Sequence, residues 1–244
     1  MRRYTEYDRF AEIYSRHWNG FSARCLPVLD RLLLGELAAG AKILDLCCGA
    51  GHMAALLTAR GFRVTGLDGS EEMIRRARAN APAAEFIAGD ARSFSPQKGS
   101  FDAAVCLFDS LNHLMTSRDL ADALGNVRAA LRTGGRFVFD MNMEEGYLRR
   151  WNDSLSIVED AYVCVVRARF DAAAMVGSND VTLFERAERW VRSDFTLTQR
   201  CYPENEVLAA LSVAGFVGSR SFEASRDLQA DMGVGRSFFT CVAG

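Results

Sequence analysis

Several features are scarce in this 244-residue chain, and each scarcity excludes a class of protein. No uncharged apolar run approaches the ~18 residues that a bilayer-spanning helix needs. The opening Met1-Arg2-Arg3-Tyr4-Thr5-Glu6 leads into charges and aromatics, not into an apolar signal core, so a cytoplasmic location away from membranes is expected. A basic surplus is also lacking: 29 Lys and Arg stand against 31 Asp and Glu, a net charge of −2. Proteins that live on nucleic-acid phosphates usually carry such a surplus, so no nucleic-acid partner is expected. Histidine occurs only at 17, 52 and 113, too sparsely for a cluster. The seven cysteines (25, 47, 48, 106, 164, 201 and 241) include no CxxC pair. Their odd number and adjacent pair suit neither a disulfide framework nor a zinc site, so buried, reduced thiols and no metal are expected. There is no internal repeat and no low-complexity tract.

What is present is an ordinary globular balance, 49% apolar and 25% charged. At roughly 150 residues per domain, the length admits one large domain or two small ones. Residues 4–38 read as helical: Tyr7, Phe10, Ile13 and Tyr14 repeat at helical spacing, as do Leu26, Leu29, Leu32 and Leu33. The period then changes. Ile43–Leu46 is a short apolar strand that runs into Cys47-Cys48-Gly49-Ala50-Gly51, followed by a helix from about His52 to Arg60 and a stop at Gly61. Phe62–Leu67 reads as strand ending at Asp68, with Ser70 capping a helix that stops before Pro82. Glu85–Ala88 and Ala103–Phe108 are the third and fourth strands. Ser117 is a candidate cap for a helix with Leu120, Leu124, Val127 and Leu131 on one face, and Phe137–Phe139 is the fifth strand. Strand and helix alternating five times predict a parallel sheet with helices on both faces.

Residues 143–201 break that pattern. Ala161–Phe170, Val181–Val191 and Phe195–Cys201 are rich in β-branched and aromatic residues and read as antiparallel strands. A helix after Pro203 and two last strands, Phe216–Phe222 and Ser237–Val242, complete the chain.

Ligands of an open α/β sheet bind beyond the carboxyl ends of its strands. Here those ends carry Asp45 with its glycine turn, Asp68, Asp90, Phe108-Asp109 and Asp140. Gly49 and Gly51 allow a tight turn and close approach of a ligand. A carboxylate at Asp68 can accept both hydroxyls of a ribose, and one at Asp90 an exocyclic amine such as that of adenine. Acids at these places favour a nucleoside with positive groups over a dinucleotide.

These segments resemble the class I S-adenosylmethionine-dependent methyltransferases. The matching runs are Ile43–Gly51, Val64–Met73, Ala88–Ala91, Phe101–Val105 and Leu131–Gly135, in order across about residues 40–142, with Ala214-Gly215-Phe216 further on. The resemblance implies a Rossmann-like, doubly wound, seven-stranded and mostly parallel sheet, with an antiparallel insert after the fifth strand. It also implies one methyltransferase domain over 1–244: a helical lid (1–38), a cofactor core (40–142), a substrate cover (143–201) and a last helix with C-terminal strands (202–244).

By position, the turn from Asp45 to Gly51, with Cys47 and Gly49, would hold the methionine part of S-adenosylmethionine. Asp68 would hold the ribose, and Asp90 with the Ala91 amide would read adenine beside Gly69 and Met73. Backbone near Leu107 and Phe108 would meet the methionine amino group, and Tyr14 would be the lid contact, although an ordinary amphipathic helix explains Tyr14 as well. Cys47 stands where the family often has its first glycine. S-adenosylhomocysteine would be the product.

Phe108–Leu114 looks like the segment before the substrate pocket in small-molecule N-methyltransferases, amino-sugar enzymes included. Methyl transfer from a sulfonium needs alignment and exclusion of water more than any one catalytic group. His113 is the candidate base, the alternative being a histidine packed or solvated at a helix start. The expected partner is a small-molecule acceptor methylated on nitrogen or oxygen, in a monomer or homodimer. In the insert, Arg167, Arg169, Arg186, Arg189, Arg192 and Arg200 balance nearby acids as a salt-bridged face does, and one pointing inward would suit a substrate carboxylate. Trp151, Tyr162 and Trp190 line a pocket or fill the core.

Four rival readings stand beside this one. Gly49–Ala54 also fits the dinucleotide fingerprint of an NAD-dependent oxidoreductase. Asp109, Asp140 and Asn142 offer oxygen ligands for the magnesium of a metal-assisted O-methyltransferase, but Met141 interrupts the adjacent Asp-Asn of such enzymes. A nucleic-acid enzyme would carry a Pro-Pro-aromatic loop or a Pro-Cys dipeptide, and neither occurs. A non-catalytic S-adenosylmethionine-binding protein would keep the turn and both acids without turnover.

Overall fold

The structure, a computed structural model, describes residues 5–95 and 98–244. Tyr4, at the start of the expected helical stretch, lies outside them. Two helices, α1 (Thr5–His17) and α2 (Gly20–Leu32), precede the sheet. Then come β1 (Lys42–Leu46), α3 (His52–Ala59), β2 (Arg63–Asp68), α4 (Glu71–Asn80), β3 (Glu85–Ala88), β4 (Phe101–Cys106), α5 (Ser117–Ala130) and β5 (Leu131–Asn142). A short α6 (Glu144–Arg150) leads into β6 (Ser154–Val158), β7 (Tyr162–Asp171), β8 (Val176–Arg186) and β9 (Trp190–Arg200). The chain closes with α7 (Glu204–Val213), β10 (Phe216–Glu223), α8 (Ala224–Leu228) and β11 (Arg236–Ala243).

Seven strands form one sheet in the order β10-β11-β5-β4-β1-β2-β3. Strands β1 to β5 pair in parallel, and β11 runs antiparallel to both its neighbours. Alternation along the strands feeds two cores. Leu44, Leu46, Ala104, Cys106, Phe137 and Phe139 point to the face covered by α5 and α7. Ile43, Ala103, Val105 and Val138 point to the face covered by α2, α3 and α8. A buried parallel sheet with two apolar faces is the arrangement that such runs dictate.

The insert folds as a second, antiparallel sheet, β6-β7-β8-β9. One face of it buries Tyr162, Cys164, Val181, Leu183 and Leu197 against Phe10 and Ile13 of α1. Asp8 of α1 also reaches the start of α4, accepting from Ser70 Oγ at 2.6 Å and from the Glu72 N–H at 3.2 Å.

Four expectations need correction. The fourth strand ends at Cys106, not Phe108, because Phe108 and Asp109 turn into left-handed backbone (φ +63° and +49°). The cap of α5 is Thr116, whose hydroxyl accepts the Asp119 N–H at 3.0 Å, not Ser117. The expected strand Val181–Val191 is two strands, turning at residues 187–189. Leu131, expected on a helix, begins β5.

Candidate active site

The carboxyl ends of the parallel strands, α1 and the insert sheet enclose a cavity of about 780 Å³. The turn after β1 forms one wall. At Gly49 (φ +51°) an added Cβ would stand 3.8 Å from the Tyr14 ring, inside that wall. At Gly51 (φ +77°) a Cβ would come within 2.9 Å of Ala77, so this glycine seats the turn on α4 and does not itself line the cavity. Cys47 adopts φ +55°, which costs a non-glycine residue of order 1 kcal/mol. That strain is the physical meaning of the glycine usually found there.

Asp68 lies at the tip of β2 and lines the cavity. Its Oδ2 accepts the Gly49 N–H at 2.8 Å and its Oδ1 the Ser70 N–H at 2.9 Å. Burial lifts its pKa above the ordinary carboxylate range, against the pull of those N–H groups. Asp45 is almost fully buried, and its Oδ2 has no hydrogen-bond partner among the described residues. Burial, then Asp68, pushes its carboxyl up to about 7. It borders a smaller recess with Leu107, which shares Tyr14, Trp18, Cys47, Gly49 and Phe108 with the main cavity.

Gly69, Met73, Ala91, Phe108 and His113 also line the cavity. Tyr14 does too, stacked on Trp18 and leaning on Phe108. Asp90 is not among the lining residues. Its carboxylate is held by Arg92, from Nε at 2.9 Å and Nη2 at 2.7 Å, and Arg92 also reaches Asp119. The Ala91 side of that turn faces the cavity.

At the other end lies a buried charge network. Arg236, 3% exposed, bridges Asp109 (2.7 Å) and Asp140, and its Nε has no partner among the described residues. Its burial opposes the charge, but the two carboxylates outweigh that and raise its pKa. Asp140 also accepts the N–H of Phe108 (2.6 Å) and of Asp109 (3.1 Å). Asp109 and Asp140, considered as magnesium ligands, are thus joined through a guanidinium.

His113 sits beside this network. Its Nδ1 lies 2.8 Å from the Thr198 carbonyl, which only accepts, so Nδ1 carries the proton and Nε2 is the acceptor. The Tyr7 hydroxyl donates to Nε2 at 2.8 Å, and Gln199 Nε2 lies 3.2 Å away. Burial lowers the histidine's pKa, against Asp109 and the Thr198 carbonyl, which favours the neutral ring. Burial raises the Tyr7 pKa, so the phenol stays protonated.

A methyltransferase domain model matches residues 43–135. A putative methyltransferase of Bacillus subtilis, YqeM, is 32% identical over 182 residues, which span 72% of this chain and 73% of that protein. The chain belongs to the S-adenosylmethionine-dependent methyltransferases. The methyltransferase is also 28% identical over 134 residues to a dTDP-3-amino-3,4,6-trideoxy-alpha-D-glucopyranose N,N-dimethyltransferase of Streptomyces venezuelae, 53% of this chain and 56% of that one. The crystal structure of CalS10 from Micromonospora echinaspora, an amino pentose methyltransferase with S-adenosylmethionine bound, matches with a TM-score of 0.73 at 24% identity, covering 98% of this chain and 97% of that chain. The fold is that of the class I enzymes.

The site also holds Gln199, Arg236 and Arg150, which the sequence did not single out, and Tyr7, read from sequence only as part of the N-terminal aromatic helix; all four line the cavity. None of the six insert arginines named from sequence does; Arg169 and Arg192 pair with Asp180 and Asp194 on the surface. Trp151 lines the cavity, Tyr162 is buried and bonded to His17 at 2.6 Å, and Trp190 is half-exposed. The arginine at 236 follows Gly233-Val234-Gly235 at the start of a rim strand, a signal legible in retrospect.

Proposed function

We propose that this methyltransferase acts on a nitrogen, or failing that an oxygen, of a small-molecule acceptor held under the insert sheet. The observation that carries the reading is one cavity lined both by the Gly49 turn with Asp68 and by His113 with the insert strands. The relative from Streptomyces venezuelae, whose name describes dimethylation of an amino sugar, supports nitrogen.

The turn fits the cofactor. Asp45 Oδ2 is a buried, unpartnered acceptor suited to the methionine amino group, and the missing Cβ of Gly49 leaves the backbone bare. Asp68 keeps lone-pair capacity beyond the Gly49 and Ser70 N–H groups, which suits it to the ribose hydroxyls. The Ala91 turn would face adenine beside Gly69 and Met73, while Leu107 and Phe108 would border the methionine end. Asp90 would act through its Arg92-bound turn. When bound, S-adenosylmethionine supplies a sulfonium methyl group for in-line displacement.

The chain's own residues align the acceptor and manage its proton. Tyr7, Tyr14 and Trp18 of the α1 segment close one side and exclude water, and the insert strands close the other. A proton leaving the acceptor passes to the Tyr7 oxygen as the Tyr7 proton passes to His113 Nε2. Neutral His113, oriented through Thr198, is ready to take it. Residues 1–38 would thus serve as lid, 40–142 as cofactor core and 143–201 as acceptor cover.

The test is S-adenosylhomocysteine release with a panel of small amines and their hydroxyl counterparts. Turnover of amines that falls steeply for the alcohols supports the reading. Turnover confined to alcohols assigns the methylated atom to oxygen, and turnover confined to macromolecular acceptors contradicts the reading.

A further inference from the structure

Among the described residues, three arginines line the cavity, Arg92, Arg150 and Arg236. Two are matched by carboxylates: Arg92 by Asp90 and Asp119, and Arg236 by Asp109 and Asp140. Arg150, the last residue of α6, has no carboxylate within ion-pair distance among the described residues. It nevertheless has a fixed position. Its Nη2 donates to Asn142 Oδ1 at 2.8 Å. Asn142 is itself buried, its N–H bonded to Asn112 Oδ1 at 3.0 Å and its carbonyl to Asn112 Nδ2 at 3.1 Å.

Glycines make room for the guanidinium. A Cβ at Gly146 would stand 3.0 Å from Nη2, and one at Gly233 would stand 3.0 Å from Nη1. Gly235 in turn packs so closely on Gly146 that no side chain fits there. A guanidinium has five N–H donors, and Asn142 takes one. Burial, then Arg236, lowers the Arg150 pKa, against the pull of Asp109. Asp153 also lines the cavity, and its Oδ1 accepts the Ser154 N–H at 2.7 Å.

We propose that Arg150 reads an anionic group of the methyl acceptor, a carboxylate or a phosphate, through the N–H donors that Asn142 leaves open. This rests on the reading of the cavity's insert side as the acceptor site. A forked donor held by a buried amide matches a two-oxygen anion better than a lone hydroxyl. The acceptor is then a small amine or alcohol that also carries an anion, anchored at Arg150 with its methylated atom toward His113 and Tyr7.

The test titrates protein saturated with S-adenosylhomocysteine with acetate, inorganic phosphate and neutral acetamide at constant ionic strength. The readout is tryptophan fluorescence, because Trp151 adjoins Arg150 and lines the cavity. A saturable change with acetate or phosphate and none with acetamide is expected, and the anion that acts distinguishes the two sources. Arg150→Gln should raise the midpoint at least tenfold, while its S-adenosylhomocysteine affinity stays unchanged. Arg150→Lys, which keeps the charge but loses the fork, should raise it less, and it carries the comparison if the glutamine variant does not fold. No saturable response to either anion, or an unchanged midpoint in the variants, overturns the proposal. Failure to bind S-adenosylhomocysteine at all would instead bring down the cofactor reading beneath it.

Discussion

Asp140 accepts the backbone N–H of Phe108 at 2.6 Å, across 32 residues of chain. That bond, with its neighbour to the Asp109 N–H, holds two consecutive non-glycine residues in left-handed backbone. Such conformations cost of order 1–2 kcal/mol each. The same carboxylate pairs with buried Arg236. Asp140 therefore shapes the cavity floor through both backbone and charge.

Replacing Asp140 with alanine leaves Arg236 only Asp109 and releases the strained turn. Breaking a buried charge pair in this way typically costs about 3–5 kcal/mol. Urea denaturation of Asp140→Ala, followed by circular dichroism, should show a loss of that order. A loss below about 1 kcal/mol would mean that other contacts hold the turn.

As the proposed base, His113 would act only when neutral, and burial sets its pKa below the usual 6.5. The rate therefore falls as pH drops through that lowered pKa and is insensitive to it above neutrality. His113→Asn should reduce kcat by about 10²-fold, within the range for a lost general base, and abolish the acid limb. Its affinity for S-adenosylhomocysteine should not change. An acid limb centred above pH 7, or one that survives the substitution, would remove His113 from this role.

Asp45 gives a stability signature of opposite sign to the usual acid. The folded protein keeps its proton up to about pH 7, whereas the unfolded chain releases it near 4. Between those values the folded state binds the extra proton, so this group's contribution declines as pH rises through the window. Asp45→Asn should make the ligand-free protein more stable than wild type at pH 8, with a smaller difference at pH 5. It should also weaken S-adenosylhomocysteine binding. Thermal melts at the two pH values check the first point, and identical pH dependence in both proteins would contradict it.

The parts of this fold that sequence reveals are those set by near neighbours. The glycine turn after β1, the acid ending β2, and the Ser70 cap of α4 each follow from a few adjacent residues. The parts it conceals depend on distant partners. Ala103–Phe108 looks like an unbroken apolar strand, and the turn at its end depends on Asp140 and Arg236, both distant in the chain. The turn at 187–189 carries no glycine or proline, so Val181–Val191 reads as one strand. Helix α6 has seven residues, too few for a helical period, and that hid the placement of Arg150. His113 stands out in the chain, but its proton position depends on Thr198, 85 residues away.

The central claim is that the Gly49 turn and Asp68 hold S-adenosylmethionine in this cavity. Calorimetric titration of wild type and Asp68→Ala with S-adenosylhomocysteine, and separately with NAD, tests it most directly. Loss of buried hydrogen bonds to a charged carboxylate costs about 1–3 kcal/mol, roughly 5- to 150-fold in affinity. The account predicts binding of S-adenosylhomocysteine to wild type, weakening of that order in Asp68→Ala, and no binding of NAD. Equal affinity in both proteins would contradict the placement of the nucleoside, and NAD binding in place of S-adenosylhomocysteine would contradict the assignment of the turn.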